Sequence, residues 1–199
     1  MNVNAYFFSH VFIIPLIKFL LMDAKNNVTK GNMIKPFKGI LPKIHETVFV
    51  EESAQIIGDV EIGEYSSVWF NAVVRGDVNY IRIGKRTNIQ DGCLLHVTNK
   101  TYPLFLEDEV TIGHGVTLHG CKIRSRCLIG MGAIILDGAE VQEFSVIAAG
   151  SVVTEKSVIP SGWLAVGSPA KQKRELTKEE KDKILQYAEN YVGYMKDYK

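Results

Sequence analysis

The sequence predicts a mainly β protein: a parallel β-helix, built as a triangular solenoid of hexapeptide repeats, followed by one C-terminal α-helix. Three observations carry that reading. An aliphatic residue recurs at every sixth position over most of the chain, a small residue recurs two positions before it, and a helical apolar stripe begins only after the repeat has ended.

The aliphatic column opens with Val50, Ile56, Ile62, Val68 and Val74. Its phase slips near Asp77–Ile81 and resumes as Ile83, Ile89 and Leu95. After a second slip across Val97–Phe105 it continues as Leu106, Ile112 and Leu118. A third slip leads to the unbroken run Ile123, Ile129, Ile135, Val141, Ile147, Val153 and Ile159. Ile, Leu and Val make up about a quarter of the chain, so eighteen hits with four choices of phase are no accident of composition. The small column contains Ala54, Ser66, Ala72, Thr87, Ala133, Ala139, Ser145, Ser151 and Ser157.

A strand alternates its side chains between two faces, so a period of six does not come from one long strand. It fits a short strand plus a corner, three per coil, with one aliphatic from each wall filling the axis. Eighteen hexads make about six coils. The small residues fit the interior of the corner, and the pairs Ile57-Gly58, Ile62-Gly63, Ile83-Gly84, Ile112-Gly113 and Ile129-Gly130 are expected to lend backbone freedom just past each strand. Cys93, Cys121 and Cys127 all fall in the small column, which makes them packing residues and not a disulfide framework or a four-cysteine metal site.

The repeat and its turn-rich cap, Ser161–Lys173, assign residues 33–174 to the solenoid, and residues 175–199 to the helix. Thr177-Lys-Glu-Glu180 is a capping box that opens this helix. Ile184, Leu185, Ala188, Tyr191, Val192 and Met195 then recur on one face, a packing surface for a solenoid wall of the same or a neighbouring subunit.

Residues 1–32 do not share the pattern. Val11–Met22 is apolar but short for a membrane span and interrupted by Pro15 and Lys18, so no stable membrane insertion is expected. The segment reads in three ways: an appended stretch upstream of a start at Met33, an export signal without a basic n-region, or a docking arm. A cytoplasmic location is the expectation, with export through residues 1–32 as the alternative. The 199-residue chain carries a net charge of +1 with 23% charged residues of mixed sign, which argues against a nucleic-acid partner.

Chemistry is expected where the repeat is interrupted or unusually decorated. Of five histidines, His10 and His45 lie outside the repeat and read as ordinary surface or packing residues. His96 follows core residue Leu95, and His119 follows core residue Leu118, so the two occupy equivalent hexad positions. Their separation is one eighteen-residue coil plus five residues, which the Val97–Phe105 slip can extrude as a loop. The two imidazoles should then stack on one wall, about 4.8 Å apart by strand spacing. His114 sits on the adjoining wall and points outward. Within one subunit it is poorly placed to join them, but in a trimer of parallel solenoids it would meet a neighbour's pair. The spacing leaves two readings open, a shared metal or three outward histidines with separate surface hydrogen bonds.

Arg75-Gly76-Asp77, the run Asn88-Ile-Gln-Asp-Gly-Cys-Leu-Leu-His96, and Ile112-Gly-His-Gly-Val-Thr-Leu-His-Gly120 together resemble the γ-class carbonic anhydrase family. The resemblance extends from Met33 to Lys199, including Gly167-Ser-Pro-Ala-Lys171. It implies a left-handed helix and a homotrimer with one metal per subunit interface. His96 and His119 would be ligands from one subunit and His114 from the next. Gln90 resembles the residue that hydrogen-bonds metal-bound water, with Asp91 beside it; Tyr191 corresponds to a helix tyrosine facing the site. Arg75 and Asp77 resemble an intersubunit ion pair, against the plainer reading of surface charges at a corner.

Three neutral imidazoles leave one coordination position open, the arrangement of catalytic zinc; iron(II) or cobalt(II) also suits imidazole. The implied reaction is reversible hydration of CO2 to bicarbonate by metal-bound hydroxide. Fast members of the family place glutamates near the mouth of the site to carry protons. Here Val78 and Asn99 stand where those would be, Val97–Phe105 contains no acidic residue, and Glu107, Asp108 and Glu109 follow it, so slow turnover is expected. Two other classes stand beside this one. One is an acyl-CoA thioesterase or acyltransferase of the hexapeptide-repeat class, with Lys171, Lys173 and Arg174 as phosphate-binding candidates. The other is a non-catalytic subunit of a trimeric assembly.

Overall fold

A computed structural model describes residues 33–198. The readings that concern residues 1–32 and His10 lie outside the described residues.

The repeat closes into a parallel β-helix of three walls. Successive coils pair in register, as in Phe49↔Ser67, Leu128↔Val146 and Glu140↔Val158. The aliphatic column turns inward throughout: Ile56, Leu95, Ile112, Leu118, Ile123, Ile129 and Ile135 are all fully buried on one axis. Each such side chain stabilises the fold by roughly 1.5–3 kcal/mol relative to exposure. The first wall runs from Ile34–Lys35 through Leu94–His96, Thr117–His119 and Ile134–Ile135 to Val152–Val153. The second runs from Lys43–Ile44 to Val158–Ile159, and the third from Phe49–Val50 to Trp163–Gly167. Two long strands, Gln55–Ile62 and Val73–Ile83, bend around the corner and serve both the first and second walls.

Each wall therefore holds seven strands, one coil more than the hexad count gives. Ile34–Lys35 and Lys43–Ile44 open a coil ahead of Val50, where the aliphatic column begins, and Trp163–Gly167 completes the last one. The slips in phase are changes in coil length. Ser67 pairs with Asn88, which in turn pairs with Thr111, and Thr111 with Leu128. The longest of these coils holds the extruded loop, where Thr98 and Tyr102 form an isolated antiparallel bridge.

The Ile-Gly pairs need a correction. Among their glycines only Gly58 has positive φ, at 78°. At Gly113 the constraint is close approach instead: a Cβ there would lie 2.9 Å from the Ile129 carbonyl oxygen of the next coil. The left-handed residues are at the corners just before the small column, including Asn71, Arg86, Arg126 and Phe144 as well as glycines. The three cysteines are buried and unpaired in that column, as packing residues.

Trp163–Gly167 is followed by an antiparallel return strand, Ala170–Glu175. Thr177 then caps the helix Lys178–Asp197. Its hydroxyl accepts from the Glu180 amide at 3.3 Å, and the Glu180 carboxylate accepts from the Thr177 amide at 2.9 Å. The helix lies on the third wall of its own chain, against Ser67–Val68 and Thr111–Ile112. Ile184, Ala188, Val192 and Met195 are buried there, while Leu185, expected on the same stripe, is exposed. An aromatic seat fixes the contact: Trp69 packs against Phe49 at 5.1 Å and edge-on against Tyr191 at 5.4 Å.

Candidate metal centre

The coil lengths bring His96 and His119 into direct register on the outer face of the first wall. Their ring centroids lie 5.1 Å apart. The Nδ1 atom of His96 faces the Nε2 atom of His119 at 3.1 Å. The two remaining nitrogens each meet a carboxylate: His96 Nε2 lies 3.0 Å from Asp77 Oδ1, and His119 Nδ1 lies 2.6 Å from Asp137 Oδ1.

These contacts assign the tautomers. A ring nitrogen beside an ionised carboxylate carries the hydrogen and donates it, which leaves a lone pair on the other nitrogen. The facing nitrogens are then two acceptors 3.1 Å apart, an arrangement that a shared proton or a cation would satisfy. The edge of a tetrahedral zinc site with Zn–N distances of about 2.0–2.1 Å spans roughly 3.3 Å, close to the observed separation. The carboxylates occupy the outer positions that orient metal-ligating histidines.

Asp77 has a second partner, the guanidinium of Arg75 in the same chain. Burial opposes its ionisation, but hydrogen bonds from His96 and Arg75 outweigh burial and hold its carboxyl below the usual carboxylate range. Asp137 was not among the residues singled out in the sequence. Its signal was there, because it lies eighteen residues beyond His119, one seventeen-residue coil plus one, at the corner Leu136-Asp137-Gly138.

His114 lies at the opposite edge of the same wall. Its Nδ1 is 3.1 Å from Asp91 Oδ2, and both side chains are about half exposed. Asp91 Oδ1 also accepts from the Phe70 amide at 3.2 Å, which ties it to the coil below. Together with Tyr191, Tyr194, Trp69 and Tyr198 these residues line a cleft of about 300 Å3. Burial, then the neighbouring Asp91 charge, push the Tyr191 hydroxyl up to about 12, so it is a neutral hydrogen-bond donor at physiological pH. Gln90 is buried behind the cleft, where its amide donates to Asn88 Oδ1 at 3.1 Å and Asn88 donates to Thr111 Oγ1 at 2.9 Å.

One chain thus brings together Arg75, Asp77, His96 and His119 at one edge, and Asp91, His114 and Tyr191 at the other. Among the described residues, no three histidine, cysteine or carboxylate side chains converge on one point within the chain. A larger groove of about 840 Å3 runs along the second wall, away from both edges, and is lined by ion-paired residues such as Arg124 and Glu107. The three acidic residues after the loop are engaged there and not at the histidines. Glu107 bonds Arg124 at 2.8 Å, Asp108 accepts from the Lys85 amide at 2.8 Å, and Glu109 bonds Arg126 at 3.0 Å.

The fold defines the class, a hexapeptide-repeat β-helix protein, here with two histidines paired on its outer face. The family model described as bacterial transferase hexapeptide (six repeats) matches residues 41–76. Over 157 residues the chain is 46% identical to gamma carbonic anhydrase 2, mitochondrial, of Arabidopsis thaliana; the match takes in 76% of this chain and 56% of that protein's length. It is 47% identical to a carbonic anhydrase of Geobacillus kaustophilus, over 84% of this chain and 91% of the relative. A solved structure of a hexapeptide transferase family protein from Anaplasma phagocytophilum superposes with a TM-score of 0.81 at 39% identity, over 84% of this chain and 99% of that one. The chain belongs to the γ-class carbonic anhydrase-like family of hexapeptide-repeat proteins, and its solenoid is the left-handed β-helix of that family. No helix among the described residues is long and apolar enough to cross a membrane.

Proposed function

We propose that this protein catalyses reversible hydration of CO2 to bicarbonate at a metal held between subunits of a homotrimer. His96 and His119 of one subunit and His114 of the next are its ligands, and zinc is the expected ion, with iron(II) or cobalt(II) compatible with the same donors. The observation that carries this reading is the pair of lone-pair nitrogens facing each other at 3.1 Å, each braced from behind by a carboxylate. A bound ion with an open position supplies Lewis acidity that brings the pKa of a coordinated water to about 7.

The chain's own residues do the positioning. Asp77 and Asp137 hold the outer protons on His96 Nε2 and His119 Nδ1, so neither imidazole can turn its lone pair away. Gln90 donates to Asn88 within the buried wall, which fixes its amide beside the corner residue Asp91. Tyr191 stays protonated, so it donates a hydrogen bond and carries no proton away. With Val78 and Asn99 at the loop, and Glu107, Asp108 and Glu109 engaged elsewhere, proton export limits turnover. Asn99→Glu is accordingly expected to raise kcat more than kcat/KM.

Closed symmetry explains why two different edges are needed. A three-fold interface is heterologous: it joins one patch to a different patch on the next subunit. The histidine pair at one edge of the first wall and His114 at the other edge are two such patches.

Stopped-flow CO2 hydration on protein of known metal content, with His119→Ala as control, tests the reading. Activity lost in the variant supports it. A fully metallated trimer without activity refutes it and favours the acyl-thioester alternative, which draws on the transferase name of the Anaplasma relative. That alternative has lost one of its three cations, since Arg174 is held by both oxygens of Glu180 at 2.7 Å.

A further inference from the structure

The loop that lengthens one coil contains no acid to move protons, yet it is firmly built. The Thr98 amide donates to the Tyr102 carbonyl at 3.0 Å, and the Thr98 carbonyl accepts from Asn79 Nδ2 at 3.0 Å. Tyr102 is pressed onto the wall at Gly120: a Cβ at that glycine would lie 2.6 Å from the Tyr102 Cβ and 2.4 Å from Asp137 Oδ1. Thr98 reaches across to Asp137, where its hydroxyl lies 2.5 Å from Oδ2. The other oxygen of that carboxylate holds His119 Nδ1 at 2.6 Å.

We propose that Thr98 and Asp137 are a positioning pair that fixes His119 with Nε2 as its ligand nitrogen, and that the extruded loop is the brace for this pair. The inference rests on the metal-site reading above and adds residues to it. Three points of geometry support it. Asp137 has two oxygens and each is assigned: Oδ1 to the imidazole, Oδ2 to the hydroxyl. A carboxylate free to rotate would let the imidazole flip, and a flipped His119 would turn a hydrogen and not a lone pair toward His96. The loop reaches this corner only because Gly120 carries no side chain.

The roles differ along the chain of contacts. His119 would touch the metal, Asp137 acts through His119, and Thr98 acts chiefly through Asp137, its hydroxyl lying 3.5 Å from His119 Nδ1 as well. Loss of an outer partner of a metal ligand typically costs 10–100-fold in metal affinity. The effect should therefore fall off from His119 to Asp137 to Thr98.

The test is zinc affinity of the full-length protein by chelator competition, together with the visible absorption spectrum of the cobalt(II) form. Asp137→Asn is expected to weaken zinc binding 10–100-fold and to alter the cobalt spectrum. Thr98→Val should shift both in the same direction by a smaller factor, and Thr98→Ser, which keeps the hydroxyl, should restore them. Metal-free Thr98→Val and Thr98→Ser should melt alike, which a purely structural role of the hydroxyl would not give. The positioning pair is refuted if Asp137→Asn and Thr98→Val bind zinc with wild-type affinity and spectrum while His119→Ala does not bind it. Wild-type zinc binding by His119→Ala would instead overturn the ligand assignment, and this proposal with it. If Asp137→Asn fails to fold, the Val/Ser contrast at Thr98 decides the matter alone.

Discussion

At one edge of the first wall, His96 and His119 stack in register with ring nitrogens facing at 3.1 Å and a carboxylate behind each. At the other edge His114 stands on Asp91, half exposed, with an aromatic cleft beside it. The two edges come from the same hexads and share the same buried column. What differs is how far each is satisfied within its own chain. At the first edge both imidazoles are held by partners of their own chain. The second offers one imidazole and a donor tyrosine with nothing of its own chain to act on. The contrast teaches that one subunit can carry two unlike histidine surfaces, each built on the same repeat, and under the proposed function they would complete one site between neighbours.

The sharpest way to break this comparison is to remove one histidine from each edge. His119→Ala and His114→Ala should both reduce CO2 hydration to the buffer background, although the two positions lie at opposite edges of the wall in one chain. Full activity in His114→Ala would mean that the second edge takes no part.

The next effect in size concerns what the edges share. Leu118 is fully buried one residue before His119. Leu118→Ala should cost about 2–5 kcal/mol in urea unfolding, whereas His119→Ala in the metal-free protein should cost far less. Comparable losses would mean that the histidine pair is structural.

A pH-dependent effect of comparable size is expected from the small column. Burial pushes the Cys93 and Cys127 thiols up to about 12, and the Cys121 thiol up as well. Unfolded thiols ionise near 8.5, so this contribution to stability is fully present below that pH and is lost as pH rises toward 12. Each thiol steepens the fall by up to about 1.4 kcal/mol per pH unit. Urea midpoints measured at pH 8 and pH 10 should differ, and Cys127→Ala should reduce the difference; equal midpoints would contradict the packing role.

The smallest effect is at the helix that carries Tyr191. Thr177→Ala removes the cap and should cost about 0.5–2 kcal/mol in thermal unfolding while leaving the solenoid intact. A collapse of the β-type circular dichroism signal at low denaturant in that variant would show that the helix holds the third wall together.

Much of this architecture was legible in the sequence because the solenoid is nearly one-dimensional. A residue's neighbour is one coil away, so a spacing of eighteen plus a five-residue loop was enough to stack His96 on His119. Similar arithmetic would have put Asp137 within a residue of the position one coil beyond His119, but an aspartate before glycine at a corner looks like any turn. Asp77 was read through the resemblance as an interface charge, and its bond to His96 needed the bend in Val73–Ile83 to become visible. The first coil was missed because the count began at Val50: Ile44 lies six residues before it and continues the column, whereas Ile34, ten residues before Ile44, falls out of phase. The roles of the Ile-Gly glycines were misjudged for a similar reason: spacing reveals which residues stack, but not how closely the backbones approach.

The central claim, that each site takes ligands from two chains, is tested most directly by subunit complementation. His114→Ala and His119→Ala chains are co-expressed in equal amounts, and CO2 hydration of the mixed trimers is measured per bound metal site. If ligands come from adjacent subunits, about one interface in four receives an intact pair from one chain and an intact His114 from the next, so roughly a quarter of wild-type activity returns. If all three ligands belonged to one chain, every site would carry a lesion, and the mixture would remain as inactive as its parents.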